Sequence, residues 1–72
     1  MPMTYLDDIG ARSKDLEKQR DKLINELKNL EEKHRSGNVG EEEYKEKRHE
    51  IERALVEIMD RLAQTRFLMG QG

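Results

Sequence analysis

The chain has 72 residues, of which 42% are charged and 4% aromatic, and 16 acidic residues nearly balance 14 basic ones. This composition is typical of long helices rather than sheets, and with no cysteine the chain can form neither a disulfide nor a thiolate metal cluster. No apolar run approaches the roughly 20 residues that a membrane-spanning helix needs, and interleaved charges argue against a nucleic-acid surface. We therefore expect a single helical domain, residues 1–72, in the cytoplasm.

The first predicted helix covers residues 4–35. Thr4 and Asp7 have the spacing of a T-x-x-D capping box, in which each side chain satisfies a free backbone N–H at the helix start. The first ten residues contain acidic side chains and lack the basic and apolar segments of a signal peptide, so we expect none.

A loop is predicted at residues 36–40. Gly37 and Gly40 are suited to a helix stop and a tight connection, and we expect a positive φ at Gly37. Charges change sign across the loop as helix dipoles favour: Lys33, His34 and Arg35 precede it, and Glu41, Glu42 and Glu43 follow it. One continuous helix would place both glycines in its interior, at a cost of about 2 kcal/mol.

The second predicted helix covers residues 41–69, and apolar residues in both arms repeat every seven positions. In the first arm the main row is Ile9, Leu16, Leu23 and Leu30. In the second arm the rows are Tyr44, Ile51, Ile58 and Thr65, and Arg48, Leu55, Leu62 and Met69. These rows predict an all-α fold, an antiparallel two-helix hairpin held by a coiled-coil seam.

The register of the hairpin follows from the position of the loop. Pairing residues whose numbers add up to 78 places Val39, inside the loop, at the turn. The predicted pairs are His34/Tyr44, Leu30/Arg48, Leu27/Ile51, Leu23/Leu55, Arg20/Ile58, Leu16/Leu62, Ser13/Thr65 and Ile9/Met69. Acid-first pairs four residues apart support both helices: Asp8/Arg12, Glu31/Arg35, Glu41/Lys45, Glu43/Lys47 and Glu57/Arg61. A shift of one heptad would move the turn out of the loop and leave both glycines without a role.

Neither a catalytic residue nor a cofactor or metal site is predicted. Ser13 and Thr65 form a small polar layer with no base beside them. Glu46-x-x-His49 has the spacing of di-metal helical bundles, but the heptad places both side chains towards solvent rather than the bundle core. We therefore expect a protein that is not an enzyme and has no small-molecule substrate.

A second apolar stripe marks the end of the second helix. Val56, Met59, Ala63 and Phe67 follow one another at helical spacing, displaced from the seam, and Leu68 lies beside them. Because the seam is already used within the hairpin, a second stripe requires another surface to cover it. We predict a partner interface at these five residues; the alternative is that they only thicken the open end of the hairpin.

The stretch of residues 26–55 resembles the SHOCT domain, a short helical module. The matching positions are Leu27, Leu30, Gly37, Val39, Glu43, Tyr44, Lys47 and Leu55. Gly40 departs from the pattern, since that family has a hydroxyl cap at this position, and both helices extend beyond the module. The resemblance implies a role in oligomerisation or in association with other components, and it implies no enzymatic activity.

These observations favour a non-enzymatic interaction module, an oligomerisation scaffold or adaptor that forms a homodimer, with two hairpins making a four-helix bundle. A different protein partner is the next choice. The alternative function is a nucleic-acid- or membrane-surface-associated accessory protein whose second helix supplies the basic residues.

Overall fold

The structure, a computed structural model, describes the backbone of residues 5–68 and 70 and the side chains of residues 9–68. Two helices, α1 (Tyr5–Arg35) and α2 (Glu41–Leu68), pack against each other as an antiparallel hairpin. The hairpin is a rod with extents of 52 × 23 × 15 Å. Thr4 and Met69, the outer ends of the predicted helices, lie outside the described residues. The predicted all-α hairpin is confirmed.

The end of α1 is a Schellman motif, in which a left-handed glycine satisfies the last carbonyl groups of a helix. Gly37 has a φ of 80°, and its N–H donates to the carbonyl of His34 at 3.2 Å. The N–H of Asn38 donates to the carbonyl of Lys33 at 2.8 Å. The predicted positive φ at Gly37 is therefore confirmed.

The start of α2 is set by Gly40. Its carbonyl accepts the first helical hydrogen bond, from the N–H of Tyr44 at 2.9 Å, which makes Gly40 the N-cap. The first turn of α2 is acidic and the last turn of α1 is basic, so both helix dipoles at the loop are stabilised by charge.

The core is a single seam between the two helices. Leu16, Ile58 and Leu62 form a buried cluster, and Leu23 packs against it. Every buried side chain in the described part lies on one of the predicted heptad rows: Ile9, Leu16, Leu30, Tyr44, Ile58, Leu62 and Thr65. Leu62 is the most buried of them, and even it retains 3% of its exposed area. A seam between only two helices cannot enclose a side chain on all sides.

The register agrees with residue numbers that add up to 78. The rings of His34 and Tyr44 stack next to the loop, and Leu16 and Leu62 share the core cluster near the other end. Arg48, predicted on the seam, has a side chain that is 48% exposed. Its Nε lies 3.5 Å from a Glu52 carboxylate oxygen, and its Nη1 donates to the Tyr44 hydroxyl at 3.1 Å.

Replacing Gly37 by serine should destabilise the hairpin by about 1–2 kcal/mol, the cost of forcing an L-residue into the left-handed region. Apart from Gly37 itself and its two chain neighbours, no residue has a heavy atom within 4 Å of the position that a Cβ would take there, so the cost is conformational rather than steric. Chemical denaturation measures the free energy of unfolding.

The matched control is Gly40→Ser, the same substitution three residues later. Gly40 has no positive φ and also has open space around a Cβ. Serine is a preferred N-cap, so this variant should be as stable as the parent or more stable. Equal losses in both variants would refute a special role for Gly37.

Candidate functional site

The exposed apolar side chains of the hairpin concentrate on α2. Val56 is 70% exposed, Met59 58%, Phe67 75% and Leu68 56%, and Ala63 is also exposed. The hairpin itself therefore covers none of the five residues predicted to form a partner interface. Large apolar side chains grouped in this way on a surface are typical of an interaction site.

The position of the stripe follows from helix geometry. Successive residues lie about 100° apart around an α-helix, so the stripe Val56, Met59, Ala63 and Phe67 faces about 130° away from the buried side of α2. That angle separates it from α1. A movement of the two helices within the seam could not bury it, and only a further surface can.

Leu68 is placed differently from the other four residues. It follows Phe67 directly and so lies about 100° from it around the helix. With Ile9 and Leu16 it lines a groove between the two helices at their open end, and it also borders a shallow depression with Ala63 and Phe67. The sequence prediction grouped Leu68 with the stripe, whereas the structure places it where the stripe meets the groove.

One exposed apolar residue was not singled out from the sequence. Ile24 on α1 is 36% exposed and follows Leu23, which packs against the core cluster. In the observed register it lies level with Ala54 of α2, close to the start of the stripe. Its signal in the sequence was weak, since a lone isoleucine beside a seam position is common at the edge of any helix pair.

A polar network joins the helices at the opposite, loop-proximal end. The rings of His34 and Tyr44 stack with their centroids 3.8 Å apart and an interplanar angle of 11°. His34 Nε2 is hydrogen-bonded to Glu41 Oε2 at 2.8 Å. The Tyr44 hydroxyl donates to Glu31 Oε1 at 2.8 Å and accepts from Arg48 Nη1 at 3.1 Å. Two residues of α1 are thereby bound to three of α2 through directional contacts.

These contacts shift three pKa values. The hydrogen bond from His34 and its charge lower the pKa of the Glu41 carboxyl. The hydrogen bond to Glu31, together with burial, raises the pKa of the Tyr44 hydroxyl. The hydrogen bond to Tyr44 raises the pKa of Arg48, which keeps the guanidinium charged. The network therefore joins the two helices at the loop end through hydrogen bonds and charge pairs.

The network also changes the predicted surface ion pairs. Glu43–Lys47 and Glu57–Arg61 form as predicted, at 3.1 and 2.6 Å. Glu31 and Glu41 instead bind across the helices, and Arg35 pairs with Glu32. Close to a tight loop, a side chain can reach the opposite helix. Groups on that helix then compete for it with the residue four positions along its own helix.

The polar residues that the sequence singled out belong to no cluster of possible metal ligands in the described part of the chain. No group of three or more His, Cys, Asp or Glu side chains among them is placed to hold a metal ion. Glu46 and His49 are exposed, and the Thr65 hydroxyl donates to the carbonyl of Arg61 at 2.8 Å. Within the same residues, neither helix has the length and apolar character required to cross a bilayer.

No protein-family model matches this chain, and no curated protein or solved structure resembles it significantly.

The His34–Glu41 contact predicts a loss of stability in acid. A carboxyl group whose pKa is lowered on folding adds stability above its unfolded pKa, and this contribution is lost as the pH falls through the lower, folded value. The thermal midpoint should therefore decline below pH 4.5, the ordinary pKa of this carboxyl, and Glu41→Gln should reduce that decline.

The matched control is Glu42→Gln, which removes a carboxyl from the same helical turn. Its side chain is exposed and takes no part in the hydrogen bonds of the network. The acid decline should persist in this variant as in the parent. If the two variants show the same dependence on pH, the His34–Glu41 contact contributes nothing specific.

Proposed function

We propose that this protein is a non-enzymatic interaction module that forms a homodimer through the exposed face of α2 and serves as an oligomerisation scaffold or adaptor. The observation that carries the proposal is the stripe of Val56, Met59, Ala63 and Phe67, exposed on a helix whose other face is already buried.

The thin core of the hairpin supports this proposal. In the described part no large side chain falls below 2% exposure, so the seam buries little apolar surface for a chain of this length. Small domains without a disulfide or metal commonly gain stability by oligomerisation. Burying one side chain of the size of methionine or phenylalanine contributes about 1.5–3 kcal/mol.

The residue types of the stripe also suit a protein partner. Met59 and Phe67 belong to the classes enriched at protein interfaces, and methionine adapts its shape to the surface that it meets. The resemblance of residues 26–55 to the SHOCT domain points to the same kind of role, because that module is associated with oligomerisation.

The decisive experiment is sedimentation equilibrium on the parent protein and on the double variant Met59→Glu, Phe67→Glu. We expect a parent dimer at tens of micromolar and a dissociation constant raised at least about a hundredfold in the variant, since each glutamate forfeits burial and introduces a charge. Circular dichroism checks that the variant remains helical.

The matched control is Asn25→Glu, Asn29→Glu, which adds the same two negative charges at exposed positions of α1. This variant should associate as the parent does. A parent that stays a folded monomer, or a stripe variant that associates equally well, would contradict the proposal. Binding of nucleic acid or anionic vesicles that weakens steeply with salt would favour the accessory function instead.

A further inference from the structure

The exposed stripe of α2 has a heptad repeat of its own, separate from the one that forms the seam. Val56 and Ala63 lie seven residues apart in one row. Glu52, Met59 and Arg66 form the row beside it, with an acid and a base on either side of the methionine. Adjacent rows at this spacing are the contact positions of a second helix pairing.

The charges in the second row select the orientation of that pairing. In a parallel pair each residue lies level with its own copy, so Glu52 would face Glu52 and Arg66 would face Arg66. In an antiparallel pair the row is reversed, and each Glu52 lies near the Arg66 of the other copy. Antiparallel packing also places the two helix dipoles in opposition. Electrostatics therefore favours the antiparallel arrangement.

A flanking row selects the register. Arg53 and Asp60 lie seven residues apart in the heptad row that ends at Phe67 of the stripe, and in an antiparallel pair this row faces the same row of the other helix. Three registers one heptad apart are available. They oppose Arg53 to Arg53, Arg53 to Asp60, or Asp60 to Asp60, and only the middle one joins opposite charges.

We propose that a second copy of this chain packs antiparallel on α2, with Val56 of each copy against Met59 of the other and Arg53 of each copy paired with Asp60 of the other. Val56 and Met59, level with each other across the interface, have numbers that add up to 115, which places the two-fold axis between residues 57 and 58. Arg53 and Asp60 have numbers that add up to 113, so these flanking residues are offset from the same level by two positions, about 3 Å along the axis. This inference rests on the proposed function and specifies its geometry.

The groups that form these ion pairs are exposed on the isolated hairpin, including Glu52, whose carboxylate lies 3.5 Å from Arg48 Nε of its own helix. Arg53, Asp60 and Arg66 are all exposed, and none of the ion pairs between described residues uses Arg53 or Arg66. Asp60 only accepts a hydrogen bond from Gln64 at 3.3 Å, along its own helix. Arg53 and Asp60 of one copy are separated by seven residues, about 10 Å along the axis, and are too far apart to pair within the chain.

Charge exchange tests the register. Arg53→Glu places two acids opposite each other at both symmetric sites, and Asp60→Arg places two bases there. Each single variant should raise the dissociation constant of the homodimer by about tenfold, and the double variant Arg53→Glu, Asp60→Arg should return it to within about threefold of the parent. The double variant has the net charge of the parent, and sedimentation equilibrium provides the constants.

The dependence of the dissociation constant on salt provides a second test, because salt weakens charge repulsion and leaves a loss of affinity caused by disturbed packing unchanged. The increase in dissociation constant of each single variant over the parent should become smaller in 1 M salt, where the Debye length is about 3 Å. The register would be overturned if the two losses of dimer affinity add up in the double variant. It would also be overturned if the single variants associate like the parent.

The two proposals fail in different ways. If Met59→Glu, Phe67→Glu abolishes the dimer while the charge exchange gives no recovery, the interaction function stands and this geometry is wrong. If the parent does not self-associate, both are wrong, and a different protein would have to cover the stripe.

Discussion

The narrowness of the contact between α1 and α2 governs the rest of this structure. A helix presents one face to a single neighbour, so each arm can bury only the residues of its seam, and even Leu62, the most buried of them, stays 3% exposed. Within residues 5–68 the structure contains no third element that covers the remaining faces. Charged side chains occupy most of those faces, and they tolerate water. The apolar stripe on α2 is the exception, because its position opposite the seam leaves it without an intramolecular partner.

The two ends of the rod are stabilised by different forces. At the loop end the stacked rings of His34 and Tyr44 and their carboxylate partners Glu41 and Glu31 join the helices through directional contacts. Towards the open end the core cluster of Leu16, Ile58 and Leu62 depends on non-directional apolar burial. The exposed apolar residues of α2 belong to this second region, which is where further burial would add most to the stability of the fold.

The proposed dimer uses a property of α2 that its apolar residues alone do not have. An apolar stripe binds many surfaces, whereas in the proposed dimer the charges along its edge favour a reversed copy of the same helix over a parallel or shifted one. Glu52, Arg53, Asp60 and Arg66 alternate in sign so that reversal of the helix turns repulsion into attraction. In this proposal apolar burial supplies the affinity and charge supplies the orientation and register.

The sequence by itself determined the helices, the loop and the seam, because these depend on local chemistry: a left-handed glycine at Gly37, charges matched to helix dipoles and a heptad repeat. It also located the stripe, since periodicity shows which residues the seam cannot use. Only the tertiary structure decided that Glu31 and Glu41 bind across the helices rather than along them, that Arg48 contacts both Tyr44 and Glu52, and that Leu68 lines the groove between the helices. These outcomes depend on distances between the two helices near the loop and at the open end. Such distances cannot be derived from the spacing of residues along one helix.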